Sequence, residues 1–303
     1  MALLDVVLGY DCNLACSYCT ITRAMRERSI PANRVALEID RAAARGYRDV
    51  AFTGGEPTIF KELPALVRHA RRRGFEHVKV ASNGLRYAHA PYLDHLVEAG
   101  VDRFHVSIHA RSDADYERVV RREDTAKLRR AALENLVARG LDPVADLIVK
   151  NDTKDELTEW IEDLRALGLR RFALWLVSLT DENAANVEQL PRITELAPHL
   201  VRAFEAARRG GYEVVSLHVP RCFVPQHISH VAHPGADAVT VVTPEAVFEL
   251  KDSRLGGGVR PEACRRCAFY DACPGLRADY VARFGDAEVQ PIEPTATTRG
   301  ETP

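Results

Sequence analysis

The segment "RFHVSIHA", residues 103–110, decides between the two folds that the rest of the chain allows. In an extended strand, successive side chains point to opposite faces. One face of this segment is apolar and carries Phe104, Val106 and Ile108. The other face is polar and carries His105, Ser107 and His109. A strand in an open sheet covered by helices on both faces reads apolar throughout, so the polar face favours an incomplete barrel whose lumen holds a ligand.

The two histidines of this segment allow two interpretations. A histidine on an inward face can bind a ligand or can hydrogen-bond within the core, and the sequence leaves both roles open for His105. His109 ends the predicted strand, and parallel α/β folds place their sites at that end, so His109 is the stronger candidate.

Glycines divide the chain into repeating units on either side of this segment. Six helical patterns end at glycine, the residue type expected just past a helix because it adopts positive φ values easily. These glycines are Gly46, Gly74, Gly100, Gly140, Gly168 and Gly210. A short apolar run follows each of them, as is typical of β–α units. The first run, "LLDVVLG", and the runs after the first five of these glycines predict six parallel strands that are each followed by a helix, and the run after Gly210 is the seventh.

We therefore predict an α/β fold in three parts. Residues 1–209 form a partial (βα)6 TIM-like barrel. Residues 210–287 form a small C-terminal α+β extension, which opens with the seventh run, "EVVSLHV", and contains the hairpin "AVTVVTPEAVFEL". Residues 288–303 are rich in Pro, Thr and Gly and nearly free of apolar residues, so we expect a disordered tail.

Composition excludes several classes of function. The 303 residues are 46% hydrophobic, which allows a sizeable core, and the formal net charge of −2 argues against a nucleic-acid partner. No run of 18 apolar residues exists and the N-terminal segment lacks a basic region, so we expect neither a membrane span nor a signal peptide. A cytoplasmic location follows, where clustered cysteines usually bind metal or perform redox chemistry.

Three of the seven cysteines lie within "CNLACSYC", residues 12–19, directly after the first predicted strand. Cys12, Cys16 and Cys19 are therefore expected on the first βα loop, at the end of the barrel that carries sites. A structural zinc ion takes four ligands, and a [4Fe–4S] cluster usually takes four thiolates. Three thiolates leave one iron open, and an open iron can bind a substrate or a cofactor.

This motif, including the aromatic Tyr18, resembles the signature of the radical S-adenosylmethionine (SAM) superfamily. A second segment, "AFTGGEP", is similar to the family's loop that binds the amino group of SAM. The resemblance gives this role to Gly54, Gly55, Glu56 and Pro57. Glycines let a backbone approach a ligand, and the carboxylate of Glu56 would pair with the ammonium group. The resemblance also implies a [4Fe–4S] cluster on the three cysteines, with SAM on the open iron.

Four more polar residues at the ends of predicted strands resemble SAM contacts of the family. Ser107 resembles the ribose contact and Asn151 the residue near the adenine, while Ser82 and Asn83 end the third strand and face the same site. Capping of a strand end is the alternative role for each of the four. The sequence does not choose among three candidate partners for the SAM carboxylate, Arg118, Arg121 and Arg122.

The other four cysteines are Cys222, Cys264, Cys267 and Cys273, and four thiolates are a complete ligand set. Their region resembles the auxiliary-cluster extensions of radical SAM enzymes, the SPASM domain and its shorter Twitch form. Arg277 stands where a further SPASM cysteine would follow, so we predict one auxiliary [4Fe–4S] cluster. Structural zinc is the competing occupant. Cys222 is either the fourth ligand or a free catalytic thiol that donates a hydrogen atom.

The resemblance implies an enzyme that receives an electron from a donor such as flavodoxin or ferredoxin. SAM would be cleaved to methionine and a 5′-deoxyadenosyl radical, which takes a hydrogen atom from a peptide or small molecule. Electron transfer to the auxiliary cluster would give oxidation, dehydrogenation or a crosslink, whereas a hydrogen atom returned by Cys222 would give epimerisation. The first strand begins near residue 3, so we expect no N-terminal peptide-recognition domain. A non-enzymatic iron–sulfur or zinc protein is the alternative from another class.

Overall fold

The computed structural model describes residues 2–233, 238–253 and 258–294. The strands are β1 Leu3–Val7, β2 Asp49–Thr53, β3 His77–Ser82, β4 Arg103–Ile108, β5 Val144–Val149, β6 Arg171–Leu176, β7 Glu213–Leu217, β8 Val231–Ala232, β9 Val239–Val242 and β10 Val247–Glu249. The helices are α1 Ala32–Ala44, α2 Leu63–Arg72, α3 Ala90–Ala99, α4 Asp113–Val120, α5 Ala126–Ala138, α6 Leu157–Ala166, α7 Ile193–Gly210 and α8 Ala278–Phe284.

The described strands form one sheet in the order β10-β9-β1-β2-β3-β4-β5-β6-β7-β8. Strands β1 to β8 are parallel to their neighbours, as the alternation of strands and helices predicted. The α/β fold with a parallel, partial TIM-like barrel is therefore confirmed. Because the strands are parallel, all their C-terminal ends meet at one edge, and the loops after them share one site.

The alternation read from β4 is also present in the structure. Phe104, Val106 and Ile108 are buried in the main hydrophobic core, together with apolar residues of the surrounding helices. His105 points the other way and contacts Asp146 of β5. The inward face is therefore polar, as a lumen requires.

Strand β7 corrects the predicted strand count. The run "EVVSLHV" was expected to open the extension, but β7 pairs with β6 along its whole length, from Arg171↔Glu213 to Trp175↔Leu217. The buried side chains of Val214 and Ser216 fit the sheet, and α7 provides the crossover connection. The sheet thus continues past the predicted boundary at residue 209.

The predicted hairpin forms from β9 and β10, which pair antiparallel across a turn in which the Thr243 amide donates to the Ala246 carbonyl. Strand β9 also pairs in parallel with β1. The C-terminal extension therefore contributes strands next to β1, at the edge of the barrel opposite to β7. This long-range pairing could not be read from the hairpin itself.

Residues 288–294 differ from the expectation of a disordered tail. The carboxylate of Glu288 accepts hydrogen bonds from the hydroxyls of Tyr280 and Thr194 and lies 3.4 Å from Arg192. The Ile292 carbonyl accepts a hydrogen bond of 2.8 Å from the Ala268 amide. These contacts attach the segment to α7 and α8. The rest of the predicted tail, residues 295–303, lies outside the described residues.

In the part of the chain that the structure describes, no helix combines the length and the apolar character needed to cross a membrane.

Candidate functional site

The cysteine loop follows β1 at the C-terminal edge of the sheet, where it was predicted. Cys12, Cys16 and Cys19 are free, half-buried thiols. The pKa of Cys16 is raised to about 12, mainly by burial and in part by the neighbouring thiols of Cys19 and Cys12. The pKa of Cys12 is raised mainly by burial too. The three thiols thus lie on one loop, in surroundings that disfavour free thiolates and would favour their neutralisation by a metal centre.

Backbone contacts with the end of α4 fix the shape of this loop. The amides of Ala15 and Ser17 donate to the carbonyls of Val120 and Val119, at 3.2 and 2.8 Å. Cys12 and Cys16 pack against a small hydrophobic cluster that includes Leu14, Leu85, Ala110, Tyr116 and Val119. The thiols are thus partly shielded from water by a surface that α4 helps to build.

Arginines bind the backbone of the same loop. Arg26, which sequence reasoning missed, donates to the Leu14 carbonyl at 3.0 Å, and Arg122 donates to the Asn13 carbonyl at 2.8 Å. Arg118 instead forms an ion pair of 2.5 Å with Asp115. Arg121 ends α4 in a left-handed conformation, with φ of 54°. Of the three arginines considered from the sequence, Arg122 is thus the one bound to the cysteine loop.

The "GGEP" loop after β2 lies directly against the cysteine loop. The Gly55 amide donates to the Gly9 carbonyl at 2.9 Å, and the Glu56 amide donates to the Asp11 carbonyl at 2.8 Å. A Cβ atom on Gly54 or Gly55 would clash with those same backbone segments, and Gly54 also has φ of 129°. The two glycines are therefore required for contact between the loops, whether or not a ligand is bound.

Glu56 is the centre of a buried hydrogen-bond network and is only 3% exposed. Its Oε1 accepts from the amide and hydroxyl of Thr58, at 2.9 and 2.5 Å, and from the Ser82 hydroxyl at 2.7 Å. Its Oε2 accepts from the Asn83 amide at 2.7 Å. Burial raises the pKa of Glu56, and these hydrogen bonds oppose that shift. Oε2, with a single donor, is the oxygen that retains capacity for another partner.

Asn83 connects this network to the cysteine loop. Its Nδ2 donates to Oδ1 of Asn13 at 2.7 Å and lies 3.9 Å from the sulfur of Cys12. Ser82 and Asn83 thus lie beside Glu56 and the cysteine loop, where both side chains support the protein's own loops, and their contact with SAM stays a prediction. Sequence reasoning missed Asn13, whose place inside the cysteine motif was the available signal.

Tyr18 of the cysteine loop contacts His109, the residue that follows β4. The Tyr18 hydroxyl and Nδ1 of His109 are hydrogen-bonded, and the His109 ring stacks on Tyr116 at 5.7 Å between ring centroids. Nε2 of His109 is buried without a partner among the described residues. Burial lowers the pKa of His109 to about 3, and the charges of Arg129 and Lys150 lower it further. His109 is therefore neutral at physiological pH.

The other two predicted SAM contacts occupy different surroundings. Ser107 is half-buried on the inward face of β4 and lies beside Asp146 in the register with β5. Asn151 donates through Nδ2 to the Glu188 carbonyl at 2.6 Å, and its amide donates to the Gln189 carbonyl at 2.9 Å. Asn151 thus binds the loop after β6, which agrees with its alternative role as a strand-end cap.

Sequence reasoning missed two residues of the lumen, Asp146 and Trp175. Asp146 accepts hydrogen bonds from Nδ1 of His105, at 3.2 Å, and from the indole nitrogen of Trp175, at 3.1 Å. A single acidic residue inside the apolar run "PVADLIVK" was the signal that could have identified Asp146.

The second set of cysteines comes together across a long separation in sequence. Cys222, Cys264, Cys267 and Cys273 line one pocket, with Phe269, Tyr270, Pro291 and Ile292 among its other lining residues. Burial raises the pKa of Cys222 to about 12, and the thiols of Cys273, Cys267 and Cys264 add to the shift. Cys222 is therefore a neighbour of the other three thiols.

Arg277 anchors this region to the barrel. Its guanidinium donates to the carbonyls of Leu176 and Val177, each at 2.8 Å, and pairs with Asp279. The position that would hold a further cysteine in a full SPASM pattern thus carries a contact with the end of β6.

The spacing of the thiols bears on the kind of metal centre. Over residues 2–233, 238–253 and 258–294, no three His, Cys, Asp or Glu side chains are close enough to hold a single metal ion. Zinc–sulfur bonds of about 2.3 Å would require sulfur atoms roughly 4 Å apart. Among the described residues, neither group of thiols therefore has the geometry of a single-ion site.

Comparison with known proteins supplies the family. The model of the Radical SAM superfamily matches residues 6–151. The mitochondrial GTP 3′,8-cyclase of Arabidopsis thaliana is 25% identical over 68% of this chain and 54% of its own length. The probable GTP 3′,8-cyclase of Methanopyrus kandleri is 32% identical over 52% of each chain. The chain thus spans about half the length of these curated relatives.

Solved structures share the fold over nearly the whole chain. The anSMEcpe enzyme, solved with AdoMet and a peptide, has a TM-score of 0.69 at 13% identity and covers 99% of this chain and 95% of its own. SuiB of Streptococcus suis, solved with S-adenosylmethionine, has a TM-score of 0.66 at 9% identity, over 97% and 76%. The oxidase HemN of Escherichia coli, described as a radical SAM enzyme, has a TM-score of 0.57 at 17% identity, over 80% and 63%. These structures show that the fold is shared, and the match of the family model identifies a Radical SAM superfamily domain in residues 6–151.

Proposed function

We propose that the protein is a radical SAM enzyme that abstracts a hydrogen atom from a peptide or a small molecule. The observation that carries the proposal is the contact between the two signature loops, in which Gly9 and Asp11 accept hydrogen bonds from Gly55 and Glu56. Cys12, Cys16 and Cys19 would hold a [4Fe–4S] cluster. When bound, this cluster and SAM would supply the electron transfer and the 5′-deoxyadenosyl radical.

The contribution of the chain itself is to position and shield these groups. Oε2 of Glu56 retains capacity to accept a hydrogen bond from the SAM ammonium group, and Asn83 and Ser82 hold that carboxylate in place. The hydrophobic cluster beside Cys12 and Cys16 limits access of water. Exclusion of water protects a reactive radical from side reactions.

We further propose that residues 210–287, apart from strand β7, form a Twitch-like region and that its four cysteines hold an auxiliary [4Fe–4S] cluster. Their convergence on one pocket supports this assignment. The match of residues 6–151 to the Radical SAM superfamily supports a second iron–sulfur cluster over zinc, the competing occupant. The position of Cys222 beside the other three thiols supports its role as a ligand over that of a hydrogen donor.

The reaction that we favour is oxidation, dehydrogenation or crosslinking of the substrate, with the auxiliary cluster accepting an electron. Flavodoxin or ferredoxin would be the external donor. A peptide substrate is supported by the bound peptide in the anSMEcpe structure. The names of the curated relatives support a second candidate, a cyclase that acts on a nucleotide such as GTP. An epimerase that uses Cys222 is the third.

Anaerobic reconstitution with iron and sulfide, followed by SAM and dithionite, tests the proposal. Formation of 5′-deoxyadenosine and methionine is expected from the wild type and not from Cys16→Ala. The matched control is Cys273→Ala, which should retain SAM cleavage because it changes only the second set of cysteines. Absence of cleavage by fully reconstituted wild type would support a non-enzymatic iron–sulfur protein. GTP that becomes cyclised in the same assay would establish the second candidate.

A further inference from the structure

Two histidines occupy neighbouring strand ends on the same edge as the cysteine loop. His218 directly follows β7 and His233 directly follows β8. The two strands are parallel, and their last paired residues are Leu217 and Ala232. The histidines are thus the next residues in the same register, at the edge where parallel α/β folds place substrates.

His218 has a strained backbone and one unused ring nitrogen. Its φ is +70°, in the left-handed region that non-glycine residues seldom adopt outside turns and functional sites. Nδ1 is buried and has no partner among the described residues. Burial lowers the pKa of His218 to about 4, and a hydrogen bond from the ring to the backbone of Leu176 opposes that shift, as a carbonyl acceptor does. Nε2 is therefore the donor, and Nδ1 carries a lone pair that can accept a hydrogen bond.

The ring of His218 lies beside a residue of the lumen. The ring packs edge-on against Trp175, with 5.3 Å between centroids. Trp175 in turn donates to Asp146 on the inward face of β5. A molecule bound at His218 would therefore be adjacent to the polar lumen.

His233 and Arg221 add three more unused polar atoms. His233 is 8% exposed, and both of its ring nitrogens are buried without a partner in the described part of the chain. Nη1 of Arg221 is also buried and has no hydrogen-bond partner among the described residues. Burial lowers the pKa of His233 to about 4 and the charge of Arg221 contributes to that shift, while Arg221 also lines the pocket of the second set of cysteines. A guanidinium group does not lose its charge by deprotonation in proteins. A buried N–H of Arg221 is therefore unfavourable without a hydrogen-bond acceptor, and an anion is the acceptor that would stabilise it most.

We infer that His218, Arg221 and His233 form a substrate subsite for an anionic group, a carboxylate or a phosphate, that has a hydroxyl or amine beside it. Arg221 and His233 donate to the anion, and Nδ1 of His218 accepts from the neighbouring donor. Hydroxy acids, amino acids and phosphorylated sugars carry this combination. This inference rests on the proposed function in one respect. The ligand of the subsite would be the substrate of the proposed enzyme, bound at the strand ends that also carry the cysteine loop.

The stability of variants distinguishes a ligand-binding role of these histidines from a purely structural one. A structural role predicts that replacing them with apolar residues lowers stability, and unused polar atoms predict the reverse. Apolar residues of similar volume should stabilise the free protein if the polar atoms are unused, because buried donors and acceptors without partners are unfavourable. His230 is a matched control from the same segment. Its Nδ1 donates to the Val214 carbonyl at 2.8 Å, and its ring stacks on Phe204 at 4.6 Å. His230→Leu should therefore lower stability.

The test is thermal unfolding of the reconstituted protein in the presence of inorganic phosphate, acetate, glycolate or glycerol. The three anions should raise the melting temperature of the wild type and of His230→Leu, and glycerol at the same concentration should raise it less. His233→Leu should weaken binding of all three anions by about tenfold or more. Glycolate should bind more tightly than acetate to the wild type, and His218→Leu should remove that preference.

Two results would overturn the subsite. One is the absence of anion binding to the wild type, or binding that His233→Leu leaves unchanged. The other is a His218→Leu, His233→Leu double variant that is destabilised as much as His230→Leu. If the double variant does not fold, His233→Gln, which keeps a polar side chain, should still weaken anion binding, and unchanged binding would count against the subsite. SAM cleavage measured in parallel separates the proposals, because its failure with intact anion binding contradicts only the proposed function.

Discussion

The Tyr18 hydroxyl is hydrogen-bonded to Nδ1 of His109, and this contact joins the cysteine loop to the end of β4. Tyr18 stands immediately before Cys19, so the contact helps to fix the position of the third cysteine. His109 is held from the other side by its stacking on Tyr116. The strand whose polar face indicated a barrel therefore also supports the cysteine loop.

The buried His109 should make stability depend on pH. Its pKa is about 3 in the folded protein, whereas an unfolded histidine has an ordinary pKa near 6.5. Below pH 6.5 the unfolded state gains a proton that the folded state does not, so stability falls with falling pH by about 1.4 kcal/mol per unit. Urea unfolding between pH 7 and pH 5 should show this slope in the wild type and a smaller one in His109→Phe. Equal slopes would mean that His109 is not buried in its neutral form.

Glu56→Ala should weaken SAM binding and also destabilise the protein. Loss of a charge-assisted contact of about 1.5–3 kcal/mol predicts SAM affinity lower by roughly ten- to a hundredfold. The amides of Thr58 and Asn83 would lose their acceptor, which should lower the free energy of unfolding by roughly 2–4 kcal/mol. Calorimetric titration with SAM and chemical unfolding measure the two effects.

Ser82→Ala is the matched control for this prediction. It removes one donor to Glu56 while leaving the carboxylate in place, so it should cost about 1 kcal/mol of stability and leave SAM affinity near that of the wild type. Normal SAM affinity in Glu56→Ala would show that the carboxylate serves the loop structure alone.

Iron content should follow the two groups of cysteines. Two [4Fe–4S] clusters give about eight iron atoms per reconstituted chain, and a Cys12→Ala, Cys16→Ala, Cys19→Ala variant should retain about four. Iron and zinc analysis of both proteins decides between the possible occupants of the second set. Zinc together with about four iron atoms in the wild type would contradict the auxiliary cluster and leave the first cluster unaffected.

Cys222→Ala separates the two roles considered for this residue. If Cys222 is a ligand, the variant should lose iron or show an altered spectrum of the second cluster. If it is a free donor, iron content should remain at the wild-type value, and wild-type turnover in deuterated water should place deuterium in the product. Full iron content with no deuterium uptake would contradict both roles and leave Cys222 as a buried structural cysteine.

Much of the fold and part of the site were predictable because their signals are local. The cysteine loop and the "GGEP" loop are short segments whose spacing reflects chemistry, and each lies directly after the strand that precedes it in sequence. The alternation in "RFHVSIHA" depends only on strand geometry, so it correctly identified the inward face. The hairpin of β9 and β10 was also predictable from its own residues.

The tertiary structure decided the relationships that depend on which strands pair. Sequence gave no sign that β7 would extend the barrel or that β9 would pair with β1, because hydrogen bonds between distant strands leave no local pattern. The partners of Arg277 lie about a hundred positions away, at the end of β6. The adjacency of His218 and His233 likewise follows from the register of β7 with β8, because only strand pairing aligns residues so far apart in the chain.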